Sequence, residues 1–139
     1  MRLFHLEPSD TQQLAQWLQQ ADALVLARGR GDVLSGTLQD LPLLQDVITQ
    51  PSPAALTPEQ LHAVSAALGR VLLHEQAGSE WAIVQGVHQR GYAVRRMGTL
   101  HWVSPEGALR SHLHGGAKRD LRQLFASMCE RLNPPALAA

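Results

Sequence analysis

The spacing of apolar and polar positions divides the chain into a helical first part, a stretch of strand periodicity and a helical end. In "PSDTQQLAQWLQQADALVLA", residues 8–27, Leu14, Trp17, Leu18, Ala21, Leu24 and Val25 recur at helical intervals. Glutamines fill the opposite face, which is therefore solvated without being charged. Ser9 is the expected N-cap, with Gln12 completing a capping box. A shorter helix is expected near 40–49, turning Leu41, Leu44, Val47 and Ile48 inward. A third, over about 57–77, has Thr57 as cap, Pro58 in the first turn and Gln60 closing a capping box. Its core face is Leu61, Val64, Leu68, Val71 and Leu72, and Gly78 ends it.

From Glu80 the period changes to two. Trp81, Ile83, Gln85 and Val87 alternate with Ala82, Val84, Gly86 and His88, as in a strand. Gly91 marks a turn, "YAVRR" a second strand, "MGT" another turn and "LHWVS" a third strand. Helical spacing returns in "SPEGALRSHLH", capped by Ser104 and ended by Gly115 and Gly116. A last helix, about 117–132, aligns Leu121, Leu124, Phe125, Met128 and Leu132. This order predicts a small single α+β domain over residues 1–139: N-terminal helices, a three-stranded antiparallel meander and C-terminal helices.

Composition narrows the function classes. The 139 residues are 45% apolar and 17% charged, a globular balance. No apolar run approaches the ~18 residues that cross a bilayer, and "MRLFHLEPSD" does not read as a secretory signal. Cys129, the single cysteine, excludes an internal disulfide framework and suits a reducing compartment, so a cytoplasmic location is expected. "PSPAALTP" at 51–58 is a linker too short to separate domains, and Arg30-Gly31-Asp32 is read as a chance loop.

Charge adds a layout. Residues 1–81 hold four arginines against nine acids, residues 82–139 eight basic residues against three acids. The simplest reading is that the halves neutralise each other on folding. Arg90, Arg95, Arg96 and Arg110, flanking Tyr92 and Trp102, are also the ingredients of a single-strand nucleic-acid surface. A pI near 7.1 argues against that use.

Catalytic and metal motifs are absent from the local pattern. His112 and His114, two apart, diverge on a helix, and His88 and His101 are not spaced to complete a metal set. No nucleophile elbow or phosphate-binding loop is present, and Ser79, Ser104 and Ser111 are explained by turns and caps. Cys129 borders the apolar stripe of its helix, the setting of a buried, inert thiol. Glu80-Trp81 opens the first meander strand, and the tryptophan is expected to pack across helix and sheet. No cofactor is implied.

"SGTLQDLPLLQDVI", "LGRVLLHEQAGSEWAIV", "GTLHWVSPEGAL" and "GGAKRDLRQLF" together resemble the bacterial domain-of-unknown-function family 3806, over about residues 35–130. The marks are Gly69, the step Gly78-x-Glu80-Trp81, Gly98-Thr99, Pro105, Gly115 or Gly116, Asp120 and Leu124-Phe125. Ser111-His112 and Gln85-Gly86 depart from the charged residues expected there. The resemblance implies a fold and brings no activity with it.

The expectation is a non-enzymatic bacterial protein that binds another protein, as an immunity or accessory protein to a toxin; a homodimer is a further expected partner state. Two alternatives stand beside it. One is a small enzyme or ligand-binding domain with Glu80, His101 and His112 in a cleft beside the sheet. The other is nucleic-acid binding through Arg90, Arg95, Arg96 and Arg110.

Overall fold

The computed structural model describes residues 2–28, 33–49, 56–114 and 120–134. Their elements run β1 (Arg2–Phe4), α1 (Pro8–Leu26), α2 (Asp40–Ile48), α3 (Pro58–Glu75), β2 (Ser79–Gln85), β3 (Arg90–Arg96), β4 (Trp102–Val103), α4 (Pro105–His114) and α5 (Leu121–Leu132). The class is α+β, with an antiparallel sheet of order β1-β2-β3-β4. The meander is therefore present, but a fourth strand precedes the helices. β1 pairs Leu3 with Val84 and Phe4 with Ile83. Three residues are too few for a period-two signal, so this strand has no signature of its own.

α3 is the hub, packed against α1, α2, α4, α5 and both long strands. Local chemistry starts it as expected: Gln60 N donates to Thr57 Oγ1 at 3.1 Å, and Thr57 N to Gln60 Oε1 at 3.0 Å. Its burial is wider than one apolar stripe. Every residue from Ala63 to Gly69 is buried, while Leu61, expected in the core, is only partly so. Ala63, Ala66, Ala67 and Gly69 carry little side chain, and their smallness lets neighbours close around the helix.

Boundaries shift for identifiable reasons. α1 begins at Pro8, in its first turn, with Glu7 as N-cap in place of Ser9. The capping partner is Asp10, whose carboxylate accepts from Glu7 N at 2.9 Å. β2 stops at Gln85, because Gly86 N donates to Gln89 O at 2.8 Å and closes the turn there. Gly91 consequently lies inside β3, opposite Val84, instead of in the turn. Gly78 and Gly98 do turn the chain, with φ of +81° and +73°. α3 ends at Glu75, two residues short of expectation. The Arg30-Gly31-Asp32 triplet, most of the proline linker and Gly115-Gly116 lie outside the described residues.

No helix among the described residues is long and apolar enough to cross a membrane.

Candidate functional site

The two faces of the sheet have different roles. Trp81 and Ile83 pair with Val94 and Tyr92 and point to the helices, as the contact of the Trp81 ring with Gly69 of α3 shows. Glu80 and Arg95, one residue out of phase, occupy the other face with Trp102, the cross-strand partner of Arg95.

Trp81 packs across helix and sheet as its position suggested. Its indole occupies the place where a side chain at Gly69 of α3 would begin: a Cβ built there would lie 2.1 Å from the ring carbon Cη2. Tyr92 meets Trp81 edge-on at 6.2 Å between ring centres and Trp17 of α1 at 5.1 Å, and Trp17 stacks on His62 at 4.7 Å. Tyr92 is thus core-facing. Its hydroxyl donates to Asp10 O at 2.9 Å, and burial raises its pKa, with the Asp10 carboxylate adding to the rise.

Arg90, Arg95 and Arg96 of β3 each have a partner, as does Arg110, which lies on α4 and not on the meander. Arg90 Nη2 donates to Asp10 Oδ2 at 2.8 Å, joining the basic strand to the acidic N-terminal half. The arginine holds the Asp10 carboxyl below the ordinary carboxylate range, and the pair raises Arg90 in return. Arg95 binds Glu80 Oε1 through Nη2 at 2.6 Å and Nε at 3.1 Å. Arg110 Nη2 donates to Glu106 Oε1 at 2.8 Å, and His62 Nδ1 stands 3.3 Å from the same oxygen. Arg96 Nη1 donates to Asn133 Oδ1 at 2.7 Å, and that asparagine also reaches Gln76 Oε1.

The expected trio of Glu80, His101 and His112 occupies three settings. Glu80 is half-buried on the outer sheet face, His101 is exposed in the β3–β4 turn, and His112 is buried in α4. His114, two residues on, is exposed, so the pair diverges as helical geometry dictates. Among the described residues no group of three or more His, Cys, Asp or Glu could hold a metal ion. Cys129 is half-buried rather than buried, and desolvation pushes its thiol pKa up, away from the reactive thiolate.

What gathers instead is a groove of about 600 Å³ at the junction of β3, β4 and α4. Arg90, Arg110, His62, His88, Trp102 and Glu106 line it. Arg90 and Arg110 came from the sequence; His62 and Glu106, on helices α3 and α4, did not. A depression of about 620 Å³ between α2 and α5 is lined by Asp46, Asp120 and Arg122.

Asp40 organises a second buried polar cluster. Fully buried at the start of α2, it accepts from Ser35 N at 2.7 Å, Ser35 Oγ at 3.0 Å and Gly36 N at 2.8 Å, with Arg70 Nη2 at 3.8 Å. Gly36, at φ +79°, leaves room for the Arg70 side chain, which a Cβ would approach to 3.2 Å at Nε. The signal was the Ser-Gly-x-x-x-Asp spacing, a side chain turned back onto its own loop.

The family model described as "Domain of unknown function (DUF3806)" matches residues 40–125. The chain belongs to the DUF3806 family. Several of the motif residues in the DUF3806 match have structural work here: Gly69 seats Trp81, Glu80 pairs with Arg95, and Asp120 caps α5 by accepting from Arg122 N at 2.9 Å. The DUF3806 chain is also similar to a crystal structure of a protein from Bacteroides thetaiotaomicron VPI-5482, at 17% identity and a TM-score of 0.76. That match covers 91% of this chain and 46% of the other, so the chain spans about half the length of that protein; at this identity the likeness speaks for the fold alone. No curated protein matches.

Proposed function

We propose that the chain is a protein-binding module of the bacterial cytoplasm, acting as an immunity or accessory protein to a toxin. One contrast supports this reading. The arginines that would serve nucleic acid are paired with the chain's own acids or with Asn133, whereas Met97 and Leu100 in the β3–β4 turn are 53% and 86% exposed. Arg90, Arg95 and Arg110, paired with carboxylates, release few counterions on a phosphate backbone, and of the four only Arg96, held by the neutral Asn133, keeps its charge, so the electrostatic drive for nucleic acid is weak. Exposed Met and Leu beside His101 favour a partner that buries apolar surface.

The test is co-expression with the proteins encoded beside this chain, followed by size-exclusion chromatography. A stable complex with a toxin-like neighbour, lost in the Met97→Asp/Leu100→Asp variant while its unfolding midpoint is unchanged, is the expected result. No complex with any neighbour, together with salt-sensitive binding of a single-stranded oligonucleotide, would overturn it.

A further inference from the structure

His62 and Glu106, on the wall of the groove, also line a second space of about 20 Å³, on the helix side of the sheet. Its other walls include Trp17, Trp81, Tyr92 and Ser65. That volume admits one group the size of a water molecule. The Trp17 and Tyr92 planes meet at 73° and those of Trp81 and Tyr92 at 86°, while the stacked His62 ring covers one face of Trp17, so the walls combine crossed rings with one stacked pair. Ser65 is 5% exposed, and its Oγ has no hydrogen-bond partner. A buried hydroxyl in that state is unfavourable until something bonds to it.

We propose that this slot binds a primary ammonium group, the head of a small alkylamine or of a lysine side chain. Three features select a cation with N–H donors. Indole and phenol faces attract positive charge. The Ser65 hydroxyl is free to accept a hydrogen bond. The Glu106 carboxylate at the rim supplies the compensating charge, shared with His62 and Arg110. An anion would meet the same carboxylate and the ring faces, and is disfavoured. A neutral group of equal size gains nothing from the charge. The proposal does not depend on the protein-binding reading: an amine occupies the slot whether or not a toxin-like neighbour forms a complex.

The indole N–H signals of Trp17 and Trp81 report the slot by NMR. Methylammonium chloride is titrated against sodium chloride at equal ionic strength and against methanol, a neutral molecule of the same size. Saturable shifts with methylammonium alone are expected, with a dissociation constant on the order of 10 mM for a ligand of two heavy atoms. Ser65→Val, which fills the slot, abolishes them. Glu106→Gln, on a partly exposed site of α4, weakens them roughly tenfold, and serves alone if Ser65→Val fails to fold. Nα-acetyl-lysine methylamide distinguishes the sources: binding by both ligands means a protein lysine is admitted, and binding by methylammonium alone means a free amine. Shifts equal to those with sodium chloride or methanol overturn the proposal, as does binding that persists unchanged in Ser65→Val or, where that variant fails to fold, in Glu106→Gln.

Discussion

The indole of Trp81 lies where a side chain on Gly69 would begin, which makes the absence of a Cβ at Gly69 a condition for seating β2 on α3. Gly69→Ala offers about 1 kcal/mol in helix propensity. At 2.1 Å the new methyl cannot coexist with the ring, and displacing a large aromatic costs about 1–3 kcal/mol. The clash wins. A net loss of up to about 2 kcal/mol is expected in urea denaturation, and Trp81→Leu combined with Gly69→Ala should cost less than the sum of the two singles.

Asp10 ties two distant parts of the chain and should do so in a pH-dependent way. Its folded pKa lies below the ordinary 3.8, chiefly because it accepts from Arg90. A lowered carboxylate pKa means stability that is complete above the unfolded value and is lost as pH falls through the folded one. Wild type and Asp10→Asn should therefore differ by about 1 kcal/mol at pH 7 and converge below the folded pKa. Urea midpoints measured at pH 7 and in strong acid check this. A gap that stays constant into acid would contradict the assignment.

Glu80 and Arg95 form a cross-strand pair that is shielded but not sealed, with side chains 26% and 16% exposed. Removing one charge strands the other at reduced solvation. Glu80→Gln is expected to cost about 1–2 kcal/mol, between the exposed and the buried limits. A double-mutant cycle with Arg95→Met should return a coupling of about 1 kcal/mol.

Asp40→Ala should be the most damaging of these changes. It leaves the Ser35 and Gly36 amides without their acceptor and the Arg70 guanidinium without its counter-charge. A loss of about 3–5 kcal/mol is expected. Hydrogen exchange should show the Ser35 and Gly36 amides losing protection, and Asp40→Asn should recover part of the stability.

Features encoded within a few residues were legible before folding. Thr57, Pro58 and Gln60 start α3 through contacts three residues apart, and His112 and His114 diverge because a helix turns about 100° per residue. What escaped was either too short or too distant. β1 has three residues, and its partners are eighty positions away. Arg90 could be seen as basic, but its neutralising acid, also eighty positions away, could not. The second face of α3 consists of Ala and Gly, which register weakly in any hydrophobic periodicity although they are fully covered. The aromatic slot needed Trp17, His62, Trp81 and Tyr92 from four elements, and only folding brings those together.

The register of β1 has a consequence for synthesis. Arg2, Leu3 and Phe4 can pair only once Ile83 to Gln85 have been made and have left the ribosome. At 5–20 residues per second, β1 therefore waits roughly 4–16 s for its partner while α1 to α3 are produced. β1, made before α1 to α3, is the last of these elements that can dock.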